Sequence, residues 1–276
     1  MNVGVGLPTT TPGADGALVV EWAKRAEAGP FTSLAVLDRL AYESFEPFTA
    51  LAAAAGVTSR VRLATMVAAG PLRPTALLAK QAASLHALSG GRLTLGLAIG
   101  ARVEDYEAAG VDHRDRGRRL AEQLAYVRGR VEEERVGPSR EGIELLVGGG
   151  SGPAFARMAR YADGYAHGGG PPRAFAGAAA RAEAAWRDLG RPGRPRLWGQ
   201  GYFALGDVEA GNAYLRDYYA FTGPFAERVV AANLTSARAV KDFVRGYAEA
   251  GCDELVLFPT VSDLSELDRL AEAVGR

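Results

Sequence analysis

The feature that most constrains this chain is an unbroken alternation of short apolar runs with longer amphipathic stretches along all 276 residues. Runs rich in Val, Leu and Ile fall at 2–7, 33–37, 61–67, 92–99, 143–147, 164–167, 196–204 and 254–258, and their length and branched side chains mark them as strands. Helical patterns lie between them near 16–28, 46–55, 74–88, 115–134, 152–161, 172–189, 207–220 and 236–249, with a closing helix near 263–274. Neighbouring parallel strands need a crossover connection, usually a helix, so strict alternation predicts a parallel sheet. The runs LAVL, LTLGLAI, IELLV and ELVLF are apolar at nearly every position, as strands covered on both faces must be. An open doubly wound sheet would show the same pattern, and strand number decides between the two. Eight strands spread over the whole length predict an α/β fold closed into a single (β/α)8 TIM barrel. The most loop-like segment, GRPGRPR at 190–196, sits between a helix and a strand, so one domain is expected over residues 1–276.

Thirty-two basic and 32 acidic residues cancel, which removes any global field for nucleic acid or an anionic membrane and favours a small, roughly neutral organic partner. The start, MNVGVGLP, carries no basic leader, and no run approaches the roughly 18 continuous apolar residues of a membrane span, so a cytoplasmic protein is expected. Cys252 is the single cysteine, which excludes an internal disulfide and a cysteine-rich metal site and leaves it as a small buried filler after Gly251. No His and carboxylate cluster has metal spacing and no G-x-S-x-G elbow occurs, so redox chemistry here requires a bound cofactor.

A barrel of this kind carries its site where strands end, which selects Leu7, Asp38, Arg39, Thr65, Met66, Val67, Ala98, Gly100, Arg102 and His167 for inspection. The strongest local signal is LLVGGGSGPAFARMARYADGY, in which a strand runs through Gly148, Gly149, Gly150, Ser151 and Gly152 into a helix at Pro153. Glycines admit close approach to the backbone and a helix start offers free N–H donors, so the segment reads as a phosphate cradle. It has neither the lysine of a nucleotide-triphosphate loop nor G-x-G-x-x-G spacing, and a flavin or sugar phosphate fits it better than ATP or NAD. Glycines used only for turning are the plain alternative. A phosphosugar isomerase or aldolase would use the same cradle, but Lys24, Lys80 and Lys241 all fall in helical stretches, away from any Schiff-base position at a strand end.

The ordered segments RVRLATMV, PTALLAK, LSGGRLTLGLAIG, GGSGP and YADG together resemble the luciferase-like monooxygenase family, whose members are flavin- or F420-dependent barrel enzymes. The resemblance covers at least residues 33–165. It implies FMN, or alternatively the deazaflavin coenzyme F420, lying across the barrel mouth with its phosphate at Gly149–Gly152. It implies a non-proline cis peptide at Met66–Val67 beneath the ring, where the residues alone suggest simple strand packing. It also implies a homodimer and, for a monooxygenase, a separate flavin reductase.

Two departures from that family's pattern bear on chemistry. Asp38 is followed by Arg39 where many members have a histidine, so a cation stands where a neutral acid or base is usual. Arg39 would stabilise an anionic reduced flavin, bind a substrate carboxylate, or pair with Asp38. Ala98 replaces a usual glycine, and Ala101 stands where some deazaflavin dehydrogenases have a catalytic glutamate; Glu104 and Asp105 are near enough to substitute, or else cap a helix. Of the three histidines, His86 sits in a helix, His113 opens a charged helix in a region that rims the pocket in the resembling family, and His167 ends the sixth strand. An imidazole there suits proton exchange near neutral pH, which with Asp38 and Arg39 makes His167 a catalytic candidate. Tyr42, Phe45, Arg102 and Tyr202 are the substrate candidates, and Tyr214, Tyr218, Tyr219 and Phe221 would line an apolar pocket or pack against a dimer partner. Loss of the usual proton-transfer residues also admits a catalytically silent flavin-binding protein.

Overall fold

The computed structural model describes residues 1–129 and 137–275. Its strands β1 (Asn2–Gly6), β2 (Ser33–Val36), β3 (Arg62–Ala69), β4 (Leu93–Ala98), β5 (Glu144–Gly148), β6 (Gly164–Ala166), β7 (Arg196–Phe203) and β8 (Glu254–Pro259) form a closed barrel in sequence order. Every pairing is parallel, and β8 returns to β1 with Val256 opposite Gly4. The expected (β/α)8 TIM barrel is therefore present, and the eight predicted strands are its strands.

The uniform apolarity of the strands has a direct cause. Along each strand alternate residues enter two separate cores. Leu34, Val36, Leu255 and Leu257 point outward to the helices, while Ala35, Val256, Trp198, Tyr202 and Phe258 fill the barrel interior. Strand β1 contributes no bulk to that interior: a Cβ on Gly6 would sit 2.1 Å from the Phe258 ring. Glycine in β1 is what lets Phe258 plug the barrel axis.

The surrounding helices are α1 (Gly16–Ala28), α2 (Pro47–Ala55), α3 (Thr75–Leu88), α4 (Val103–Ala109), α5 (Arg116–Val127), α6 (Gly152–Tyr161), α7 (Pro172–Asp188), α8 (Val208–Tyr218), α9 (Ala226–Ala231), α10 (Ala237–Glu249) and α11 (Leu264–Val274). Most predicted helices agree to within a residue or two. The fourth predicted helix, 115–134, ends at Val127 among the described residues, and its residues 130–134 lie outside them. Two elements were not expected: α4, inserted between β4 and α5, and the 3-10 turn Ala220–Phe225 with α9, inserted after α8. Both insertions rise at the end of the barrel where strands finish, and both contribute to the cleft described below.

The important irregularity is in β3. Its register with β4 runs Thr65 to Leu95 and then Ala68 to Leu97, so β3 carries one residue more than its partner. The Met66–Val67 peptide inside this bulge is cis. Where the ladder is interrupted, the Thr65 hydroxyl takes its place, donating to the Gly96 carbonyl at 2.7 Å and accepting from the Gly96 N–H at 3.0 Å. The two strands approach so closely that a Cβ on Gly96 would lie 2.2 Å from the Thr65 carbonyl oxygen. Gly96→Ala is expected to destabilise the fold by about 3 kcal/mol through overpacking against backbone. The midpoint of urea unfolding at constant slope measures it, and an unchanged midpoint would refute the close approach.

Candidate active site

A cleft of about 560 Å³ opens at the C-terminal ends of the strands. Its floor comes from the bulge: Met66 and Val67 line it, together with Ala98, Gly148 and Ala166. Around Val67 the floor is crowded, and the neighbouring positions are Ala98, Gly148 and Ala166. A Cβ on Gly148 would come within 3.3 Å of Val67 and 3.4 Å of Ala98. The result is an apolar floor.

One wall is the start of α6. Gly148 and Gly149 line the cleft, whereas Gly150, Ser151 and Gly152 continue outward and are exposed at its rim. The backbone there is built for glycine, since Gly149 has φ +120° and its Cβ would meet Ala154 at 3.0 Å. Ser151 adopts extended N-cap geometry but makes no side-chain cap bond. Among the described residues no protein group accepts from the N–H groups of Gly150, Ser151 and Gly152. Free donors at the positive end of a helix dipole form an anion cradle, and the Arg181 guanidinium reaches the Gly150 carbonyl at 3.3 Å beside it. The bulge floor borders Gly148 and Gly149 in the cleft, and the open N–H groups of residues 150–152 follow directly at its rim.

The paired residues ending β2 behave differently from expectation. Asp38 borders the cleft, but its carboxylate accepts two bonds from Arg73, at 2.7 and 3.1 Å, and one from the Ala69 N–H at 2.8 Å. Arg39 does not pair with Asp38. Its buried guanidinium bridges to Asp105 and to Glu104, each at 3.2 Å, and lies over the Tyr42 ring. Asp105 also accepts from the N–H groups of Leu40 and Ala41 at 3.1 and 2.8 Å. So Glu104 and Asp105 neither cap α4 nor stand free as substitutes for a catalytic glutamate; they hold the loop after β2.

His167 does reach the cleft. Its Nδ1 lies 3.5 Å from the Tyr165 hydroxyl, and its buried Nε2 has no partner. Burial holds its pKa below the ordinary imidazole value, against a smaller opposing effect from the backbone at Gly169. A neutral ring with one unsatisfied nitrogen beside the platform is equipped to bond a ligand.

Several predicted site residues lie elsewhere. Leu7 is buried in the outer core and donates its N–H to Ala35. Thr65 is fully buried, its hydroxyl spent on Gly96. Tyr42 and Phe45 line a separate cleft of about 410 Å³ beside the loop after β1, where the Tyr42 hydroxyl donates to Asp217 at 2.7 Å. Gly100, Arg102 and Tyr202 do border the main cleft, and the Tyr202 hydroxyl lies 2.7 Å from that of Tyr219. The aromatic run after β7 supplies Tyr218, Tyr219 and Phe221 to the same wall, while Tyr214 turns inward to bond Thr10 at 2.6 Å. His113, Arg116 and Gln200 also line the cleft. Gln200 was findable, because it shares strand parity with Trp198 and Tyr202; Arg116, within the charged run DHRDRGRR, carried no distinguishing signal.

Among the described residues no group of His, Cys, Asp and Glu could hold a metal ion, and no helix is long and apolar enough to cross a membrane.

With this geometry in hand, a family model described as luciferase-like monooxygenase matches residues 1–254. An uncharacterized protein of Mycobacterium tuberculosis is 36% identical over 187 residues, covering 54% of this chain and 65% of the relative, so the chain spans less than two thirds of that relative's length. An F420-dependent secondary alcohol dehydrogenase in complex with an F420-acetone adduct superposes with a TM-score of 0.83 at 16% identity, over 99% of this chain and 98% of that one. The oxygenating constituent of 3,6-diketocamphane monooxygenase from Pseudomonas putida, in complex with FMN, gives 0.72 at 14% identity over 99% and 95%. At such identities the structural likeness speaks to the fold.

Two outcomes follow from the site's charges. Asp105→Ala leaves a buried guanidinium short of its main partner and is expected to cost about 3 kcal/mol, read as a lowered urea midpoint together with protease sensitivity in residues 38–45. Loss of neither would refute the clamp. For His167, the folded chain binds a proton less readily than the unfolded one, so its contribution favours the fold above pH ~6.5 and is lost progressively as the pH falls below that value. His167→Gln is expected to flatten the fall in thermal stability between neutral and mildly acidic pH, and parallel curves for the two proteins would contradict a depressed imidazole pKa.

Proposed function

The chain belongs to the luciferase-like monooxygenase family, and we propose that it is an oxidoreductase that binds FMN, or alternatively coenzyme F420, across the mouth of the barrel and acts on a small organic substrate. The observation that carries this reading is the convergence at Gly148 of a flat apolar floor, made by Met66, Val67 and Ala98, with the open helix start at Gly149–Gly152. Substituents that would fill either feature are missing from the sequence: glycine occupies both places where a Cβ would intrude.

In this reading the floor orients the ring and the N–H groups of Gly150, Ser151 and Gly152 hold the phosphate. His167 Nε2, neutral near pH 7, offers a hydrogen bond at the ring edge. Tyr202, Tyr218 and Tyr219 close the cleft from water on the opposite side. The flavin supplies the redox chemistry when bound, as hydride or oxygen transfer, and operation as a monooxygenase would call on a separate flavin reductase. The domain assignment of residues 1–276 as one luciferase-like unit, and assembly as a homodimer, belong to the same proposal. The phosphosugar alternative gains no support, since no lysine lines the cleft.

Titration with FMN, riboflavin and F420 tests the reading through flavin fluorescence. Quenching at micromolar FMN or F420 is expected, and binding of neither would overturn it. Ser151→Glu separates the cradle from the floor: an acidic residue at a helix start leaves stability unchanged or slightly raised, while affinity for the phosphorylated cofactor should fall at least tenfold and that for riboflavin should hold. Equal FMN affinity in both proteins would remove the phosphate from the α6 terminus.

A further inference from the structure

We infer that Arg102 is the anchor for an anionic substrate, an organic carboxylate carried on a flat apolar body. The inference rests on the reading of the cleft as the flavin site and names what is bound above the floor.

The charged residues on the cleft wall are Asp38, Asp105, Arg102 and Arg116. Both carboxylates are already neutralised from behind by arginines that do not line the cleft, Asp38 by Arg73 and Asp105 by Arg39. The two cleft arginines receive no such compensation. Among the described residues, neither has a carboxylate within ion-pair distance. The open cleft is therefore cationic although the chain as a whole has a formal net charge of +0.

The two cations occupy different places. Arg116 opens α5, donates to the His113 carbonyl at 2.7 Å and lies 2.9 Å from His113 Nδ1. Its neighbour Gly117 approaches Arg157 of α6, at 3.6 Å from the guanidinium to a built Cβ, so Arg116 stands on the side of the phosphate cradle. Arg102 stands on the aromatic side. Its guanidinium carbon is 4.2 Å from the Phe221 ring centroid and 4.6 Å from that of Tyr218, and Nη2 donates to the Tyr218 carbonyl at 3.0 Å. Its Nε is buried and has no hydrogen-bond partner.

Ring faces and one carbonyl fix the plane of the guanidinium without cancelling its charge. A half-buried cation with no carboxylate partner among the described residues is costly to keep unless an anion arrives to share it. The aromatic shelf describes the rest of that ligand. Tyr219 and Phe221 stack nearly parallel, with 26° between their planes, and Phe221 remains 43% exposed at the mouth. An exposed phenyl ring beside an uncompensated guanidinium matches a flat apolar molecule ending in a carboxylate.

Calorimetric titration with cinnamate and with its neutral isostere cinnamamide tests this, using protein saturated in turn with FMN and F420. Cinnamate is expected to bind at least tenfold more tightly than the amide, as a charge-assisted hydrogen bond provides. Arg102→Met should abolish the preference while leaving flavin quenching and amide affinity unchanged, and Arg102→Lys should restore part of it. Equal binding of acid and amide, no binding of cinnamate at millimolar concentration, or a preference that survives in Arg102→Met would each overturn the assignment. Weakened flavin binding in Arg102→Met would also overturn it, by giving the arginine to the cofactor. A preference for cinnamate in protein that binds neither flavin would sink the flavin reading and leave the anion anchor standing.

Discussion

The close approach of β3 to β4 at Gly96 is the constraint on which the site depends. A closed parallel barrel needs an uninterrupted ladder, yet β3 carries an additional residue between Thr65 and Ala68. Glycine at position 96 lets the Thr65 backbone come near enough for its hydroxyl to replace the missing ladder bonds on both sides. The barrel stays closed and the surplus residue is displaced toward the mouth. That displacement presents Met66 and Val67 to the cleft, and the glycine at 148 on the next strand accepts the Val67 side chain. Strand pairing and the cleft floor are thus one feature, seen from below and from above.

A second layer of constraint is electrostatic. The loops after β2 and β4 are joined by Arg39 and Asp105, and the loop after β2 is joined to the turn after β3 by Asp38 and Arg73. In partly desolvated surroundings such pairs are costly to break from one side, so they fix the loops that shape the cleft. They also decide what the cleft lacks. Acids that would serve as proton donors or acceptors are committed to arginines, which leaves the His167 Nε2 without a partner and Arg102 as the uncompensated cation on the aromatic side.

The barrel was legible because its cause is periodic: two cores, inside and outside, make every strand position apolar, and eight such strands require closure. The glycine-rich turn into α6 was legible because only glycine fits at Gly149. What resisted reading was pairing across the chain. Asp38 and Arg39 are adjacent in sequence, yet consecutive residues point in different directions, and each found its partner tens of residues away, in Arg73 and Asp105. Of the three candidates at the end of the third run, Met66 and Val67 line the cleft, but Thr65 does not, because the bulge turns its hydroxyl onto Gly96 of β4. Tyr42 and Phe45 follow Asp38 closely but turn into the neighbouring cleft, because the loop is pulled over by Asp105 at Leu40 and Ala41.

These displacements bear on how specificity and chemistry are divided. The floor and the start of α6 consist of backbone and apolar groups, which in the proposed reading would meet a ring and a phosphate by shape and by N–H donors and carry no information about substrate. Residues that differ chemically lie on the inserted elements: Arg102 precedes α4, and Tyr218, Tyr219 and Phe221 follow from α8. A barrel can therefore retain its cofactor platform while insertions after β4 and β7 change what is admitted above it. In this chain those two insertions meet through Arg102 and the Tyr218 carbonyl, so the residue proposed to hold the ligand also joins the two elements that wall the cleft.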